Sequence, residues 1–433
     1  RDTGPVRLRV RQPAEVRVLA HVPDVAGFGW TGWTADAASP VTPVTVDETA
    51  GRGPALANGL VTLVVDPADG TFGLDGHSGL GRLVDGGDCG DTYNWCPPAN
   101  DTLVDRPDAV EVAVVERGPL RARIRITSHY RWPARVEGLD RRSGEVAHDV
   151  ITTLELRTGE AAVRVATTVD NRSRDHRLRA HFPLPTPAAT SRAETAFGVV
   201  ERGLEAEGGP TEAPLPTYPA LRFVQAGGLT IVHEGVTEYE LVDLHDGPGP
   251  ERPGAEHGER EAHVEAHELA TTLLRSTGML SQAPMPTRPL PAGPLIRMEG
   301  PQLQKRVTLR YAVAIGAVDP YGLADAVLVP LRVAGRPVRS AGVAAPDPEV
   351  PAIAPIRPAV GSALTVEGAE VSAVVREGGS LVVRVFNPGD APTTVRIHGR
   401  QGWLVDLRGR PLEPFEGSFP LRPWGVATAS LAG

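Results

Sequence analysis

Short runs in which apolar and polar residues alternate recur along this chain, and each ends in a turn built from Gly, Pro or Asp. Leu60-Val61-Thr62-Leu63-Val64-Val65 is a β-branched run that stops at Asp66-Pro67-Ala68-Asp69-Gly70 and resumes at Thr71-Phe72-Gly73-Leu74. That is a hairpin by composition and spacing. Residues 109–115 and 121–128 alternate around Gly118-Pro119, and residues 152–157 and 162–167 alternate around Thr158-Gly159. Leu178-Arg179-Ala180-His181-Phe182 and residues 306–313 repeat the pattern. A period of two turns one face of a strand to a core and the other to water. Gly and Pro number 48 and 42 of the 433 residues, and helix interiors tolerate neither well. Closely spaced strands without interleaved helices predict a sandwich and not a βαβ fold. Residues 259–275 contain no breaker and are read as a loop running into a strand.

Charge and composition narrow the function. The net charge is -9, so nucleic acid is excluded as the main partner, because phosphate binding needs a basic face. No stretch of about 18 uninterrupted apolar residues is present, and no transmembrane span is expected. Two Cys rule out a disulfide scaffold. The chain opens Arg1-Asp2-Thr3, without an initiator Met or a signal-peptide pattern. It reads as a fragment, a processed form or a trimmed product, with cytoplasmic placement expected. Lys305 stands alone among the lysines against more than forty Arg, a mark of genome composition.

The densest polar cluster is Asp85-Gly86-Gly87-Asp88-Cys89-Gly90-Asp91-Thr92-Tyr93-Asn94-Trp95-Cys96-Pro97-Pro98. Gly lets a backbone approach a ligand closely, carboxylates accept hydrogen bonds from hydroxyls, and Tyr and Trp offer flat apolar faces with polar tips. A sugar needs all three. The same residues also suit a turn-rich loop whose Asp side chains cap their own backbone. Cys89 and Cys96 lie seven apart, close enough for a disulfide, although free buried thiols are expected in a reducing compartment. His263 and His267 would share a helix face, but the pattern lacks the Glu of His-Glu-x-x-His and reads as a solvated face. No nucleophile elbow, phosphate loop or dinucleotide fingerprint occurs.

Several stretches in order resemble glycoside hydrolase family 38, the α-mannosidases, in their C-terminal half. They are residues 82–94 closed by Pro97-Pro98; Asp175-His176-Arg177-Leu178-Arg179 followed by Phe182-Pro183; and Phe197-Gly198-Val199-Val200-Glu201-Arg202. His233-Glu234-Gly235 with Glu238-Tyr239-Glu240, and residues 273–281, complete the series. The resemblance implies a mainly β chain, dominated by a large galactose-mutarotase-like β-supersandwich flanked by smaller β-sandwich domains. On that basis residues 1–52 form a junction and the start of a small β domain. Residues 53–341 form the supersandwich, 342–358 a Pro- and Ala-rich linker, and 359–433 a small C-terminal β-sandwich.

The resemblance also implies a function. Family members carry zinc and the catalytic aspartates on an N-terminal α/β domain that has no counterpart here. This chain is therefore expected to be the C-terminal portion of a retaining bacterial α-mannosidase that hydrolyses terminal α-mannosidic linkages. It would pack on the catalytic domain, close one side of the sugar pocket, bind no zinc itself and be inactive alone. By motif position Tyr93 resembles the tyrosine that reaches mannose, Asp91 supports it, and Arg288 matches a pocket arginine. Cys89 and Cys96 depart from the family pattern. An apolar patch is expected near the 85–98 loop and near Phe28, Trp30 and Trp33. The alternative is a stand-alone carbohydrate-binding or mutarotase-like β-sandwich without hydrolase activity.

Overall fold

The computed structural model describes residues 18–22, 25–33, 40–49, 51–141, 144–235, 238–242, 265–333 and 359–432. The linker at 342–358 and His263 lie outside them.

Antiparallel strands dominate, as the alternating runs predict. A nine-stranded sheet runs in the order Gly198–Arg202, Ser191–Thr195, Phe223–Ala226, Leu229–Glu234, Arg306–Ile315, Val163–Asp170, Glu145–Arg157, Arg121–Pro133, Ala109–Arg117. A five-stranded sheet runs Thr217–Pro219, Glu238–Val242, Ala266–Ser276, His176–Ala188, Arg82–Gly87. A second five-stranded sheet comprises Thr45–Asp47, Ala55–Ala57, Thr62–Val65, Phe72–Leu74 and His77–Leu80. The turns sit where the Pro and Gly signals put them. Thr62–Val65 pairs with Phe72–Leu74 across the Asp66–Gly70 turn, and Ala109–Arg117 pairs with Arg121–Pro133 across Gly118-Pro119.

Register decides which face is buried. Leu178, Ala180 and Phe182 of one sheet meet Ile124, Leu154 and Val165 of another in a single apolar core. The intervening Arg177, Arg179 and His181 therefore point to the opposite face, because successive side chains alternate. Most of residues 265–276 are strand, and His267 is half-buried on it and not on a helix.

Residues beyond the supersandwich build a six-stranded sheet around a separate core that includes Val383, Val385, Val395, Ile397, Phe415 and Leu431. Phe386 leaves that core and packs with Tyr321, Phe223 and Val232, joining this sheet to the outer face of the nine-stranded one. Gly29–Thr31 pairs with Val360–Ser362, while Thr45–Asp47 is an edge strand of the second five-stranded sheet.

The α-helix Pro320–Leu328 lies between these units. Pro320 occupies the first turn, where its missing N–H costs nothing. Asp319 caps the helix, accepting from the Tyr321 and Gly322 N–H groups at 3.1 Å each. Asp319→Ala is expected to cost about 1 kcal/mol. Urea unfolding of the purified chain checks this, and an unchanged midpoint would mean that packing of Tyr321 and Ala324 alone holds the helix. Among the described residues no helix is long and apolar enough to cross a membrane.

Candidate functional site

The Asp- and Gly-rich loop follows Arg82–Gly87, an edge strand of the first five-stranded sheet. It docks on the segment that follows Ala266–Ser276. Thr92 N–H donates to the Met279 carbonyl at 3.1 Å and its hydroxyl to the Leu280 carbonyl at 2.7 Å. The Thr277 hydroxyl donates to the Gly90 carbonyl at 3.0 Å, and the Gln282 side chain to the Cys89 carbonyl at 2.9 Å. Gly90 is required by close approach: a Cβ there would lie 2.1 Å from the Asn94 oxygen and 2.9 Å from the Cys96 nitrogen.

The three carboxylates that could have faced a sugar are all buried, each engaged by an arginine. Asp85 pairs with Arg141, and its other oxygen meets His176 Nδ1 at 2.6 Å. His176 Nε2 lies 3.0 Å from Asn171 Oδ1, so both ring nitrogens face oxygen acceptors. Burial works to raise the Asp85 pKa, but the charges of His176 and Arg141 outweigh it and hold the group below the ordinary carboxylate range. Asp88 accepts from the Gly90 N–H at 2.8 Å, the Cys96 N–H at 3.2 Å and Arg275 Nε at 2.6 Å. Burial wins there and raises its pKa, with Arg275 offsetting only part.

Asp91 organises the tip of the loop. Its Oδ1 accepts from the Tyr93 and Asn94 N–H groups at 2.9 and 3.0 Å. Its Oδ2 accepts from the Gln282 N–H at 2.8 Å and from Arg288. Burial raises its pKa, and these N–H groups together with Arg288 overcome that and lower it. Asp91 thus caps its own backbone, as the loop reading predicts, and is not free to accept from an outside hydroxyl.

Arg288 is 3% exposed. Its donors go to Asp91, to the Asn94 side-chain oxygen and, from Nε at 2.9 Å, to the Leu290 carbonyl. The guanidinium carbon lies 5.7 Å from the centre of the Tyr93 ring. Tyr93 itself is 55% exposed. The sequence-predicted trio therefore comes together as a stack, with Asp91 and Arg288 beneath and the phenol outward. Trp95 is held differently: its indole N–H donates to the Gly87 carbonyl at 3.1 Å, and Arg177 stacks on its ring at 4.6 Å.

The sequence motifs contain Asn94, His176 and Arg275 without assigning them a role, and Gln282 and Arg141 lie outside those motifs. Arg275 reaches the carbonyl oxygens of Asp91 and Asn94, the latter at 2.6 Å, and so clamps both ends of the turn that carries Tyr93. Three Asp in a sparsely apolar loop signal a need for cations, but nothing in spacing says which. Gly293 closes on Tyr93, where a Cβ would lie 3.1 Å from the phenol oxygen, and in the same segment Leu290, Leu295 and Ile296 are exposed. Phe28 and Trp33 are exposed at the N-terminal end, and Trp30 is half-buried. Among the described residues no group of three or more His, Cys, Asp or Glu side chains is placed to hold a metal ion.

A mainly β, antiparallel supersandwich that presents a phenol from a clamped loop at a sheet edge is the class of protein defined here. Residues 56–225 match the family model described as "Glycosyl hydrolases family 38 C-terminal domain". Two solved structures share the fold. One is an alpha-mannosidase from Enterococcus faecalis V583, with 20% identity and a TM-score of 0.67, covering 87% of this chain and 42% of that one. The other, a protein in the Glycosyl Hydrolase Family 38 from Enterococcus faecalis, also shows 20% identity and a TM-score of 0.67, covering 87% of this chain and 44% of that one. This chain therefore spans less than half the length of those structures. No curated protein matches the sequence.

Proposed function

We propose that this chain is the C-terminal β-rich portion of a retaining α-mannosidase that hydrolyses terminal α-mannosidic linkages. It packs on an N-terminal catalytic domain and supplies one wall of the sugar pocket. The observation that carries the reading is Tyr93: an exposed phenol, inside the matched stretch, held by a buried Asp91–Arg288 pair. Exposed aromatics usually move; this one stands on a backbone turn whose N–H groups are capped and whose carbonyls are clamped. Such a ring packs on the C–H face of a sugar and donates one hydrogen bond from its hydroxyl. The exposed Leu290, Leu295 and Ile296, in the segment whose Gly293 closes on the phenol, supply apolar surface of the kind an obligate partner covers.

Arg288 acts through Tyr93, since its own donors are occupied. In a retaining glycosidase two carboxyl groups about 5–5.5 Å apart serve as nucleophile and acid/base. In this reading both, and the zinc ligands, belong to the catalytic domain, and this chain contributes sugar orientation and exclusion of water. The test is hydrolysis of an aryl α-mannoside by the purified chain and by the intact enzyme. The chain alone is expected to show no turnover with or without added zinc, and the intact enzyme to be active. Zinc-dependent turnover by this chain alone would overturn the division of labour. Binding of mannosides by the chain alone, with no catalytic partner encoded upstream, would favour a stand-alone binding module.

A further inference from the structure

Cys89 and Cys96 take no part in the reading above, yet they bracket the turn that carries Tyr93. The Cys89 N–H donates to the Cys96 carbonyl at 2.8 Å. Both side chains belong to one buried cluster, and a disulfide bridges Cα atoms roughly 4.4–6.8 Å apart. Both sulfurs rest against the Pro97 carbonyl, Cys89 Sγ at 3.3 Å and Cys96 Sγ at 3.7 Å, and Cys89 Sγ also lies 3.3 Å from the Cys96 carbonyl. Both are free and pack with Met285 and Val136, Cys89 being 7% exposed and Cys96 0%.

We propose that Cys89 and Cys96 are a dithiol modification site for a small hydroperoxide, and that their disulfide locks the loop presenting Tyr93. The effect on activity rests on the sugar-facing reading of Tyr93; the oxidation rests on the thiol pair alone.

The two sulfurs have unequal roles. The neighbouring Cys89 thiol draws the Cys96 thiol down to about 7, against the opposing effect of burial. The same neighbour, with burial, pushes Cys89 up. Cys96 is therefore the thiolate and Cys89 the resolving thiol. Asp88, the one carboxylate facing both sulfurs, opposes ionisation of either. Cys96 Sγ attacks one oxygen of hydrogen peroxide, the O–O bond breaks, and a sulfenic acid forms with release of hydroxide, which recombines with the proton lost on ionisation. Cys89 Sγ then attacks Cys96 Sγ, the S–O bond breaks and water leaves. Two thiols and one peroxide give one disulfide and two waters. A small oxidant is required because so little of either sulfur is exposed.

The resulting ring encloses Asp91, Tyr93 and the clamped carbonyls, so the turn loses its freedom to open. The purified chain is treated with hydrogen peroxide and examined by intact mass, peptide mapping and amide hydrogen exchange. The expected result is loss of two hydrogens, a Cys89–Cys96 cross-link reversed by dithiothreitol, and at least tenfold slower exchange at Tyr93 and Asn94. Cys89→Ser is expected to accumulate a trappable sulfenic acid at Cys96 instead. Thiols that stay free in the folded chain under peroxide that oxidises the unfolded chain would overturn the proposal, as would oxidation to sulfinic acid without a cross-link. In the intact enzyme, unchanged KM after complete cross-linking would overturn the regulatory part. A cross-link that forms while Tyr93→Phe is kinetically silent would sink the sugar reading and leave the dithiol site standing.

Discussion

Arg141→Met is expected to cost the supersandwich about 3–5 kcal/mol, because it strands the Asp85 carboxylate in a site without solvent. Both partners are fully buried, and Arg141 also donates to the Thr102 carbonyl at 2.6 Å. Removing one member of a buried pair costs far more than the pair contributes when intact, since the remaining charge keeps its desolvation penalty. Changing both residues in the Arg141→Met/Asp85→Leu variant is expected to recover part of the loss, limited by the His176 Nδ1 left unpaired. The sign with pH follows from the lowered Asp85 pKa. Its contribution is present above its ordinary value of 3.8 and is lost as pH falls through the lower folded value. Denaturant titrations of the single and double variants across that range check both statements. A single variant within about 1 kcal/mol of the parent would show the pair to be replaceable by water.

Tyr93→Phe in the intact enzyme keeps the ring and deletes the hydroxyl. One hydrogen bond to a neutral sugar hydroxyl is worth about 0.5–1.5 kcal/mol, so kcat/KM is expected to fall roughly 2- to 12-fold. Tyr93→Ala also removes the ring face, worth about 0.5–1.5 kcal/mol more, for a total fall of roughly 5- to 150-fold. Stability is expected to move little in either variant, because Tyr93 is more than half exposed. A core aromatic would behave the opposite way, losing stability with normal kinetics. Melting temperature and kcat/KM measured on the same preparations separate the two. Unchanged kinetics in both variants would remove Tyr93 from the site, and with it Asp91 and Arg288, whose role is to hold it.

The strands and turns of this protein are local properties, and local sequence determined them. Alternation of Arg177, Arg179 and His181 with Leu178, Ala180 and Phe182 is enough to predict a strand and its buried face, because the side-chain period is two whatever the neighbours are. The Asp66–Gly70 and Gly118-Pro119 turns are legible for the same reason. Family-like motifs marked Tyr93, Asp91 and Arg288, but said nothing of how they meet. Tertiary structure decided that. The arginines that neutralise Asp88 and Asp91 lie 187 and 197 positions away, and Asp85 finds its partner 56 positions on. Each pairing depends on which strands are neighbours in the sheet and on how the loop folds back over the segment after Ala266–Ser276. With more than forty arginines in the chain, no spacing rule could select Arg141, Arg275 and Arg288. Burial settled the rest: the three carboxylates have almost no solvent exposure, so each is held by a cation, while Tyr93, held from beneath, is the group left facing out.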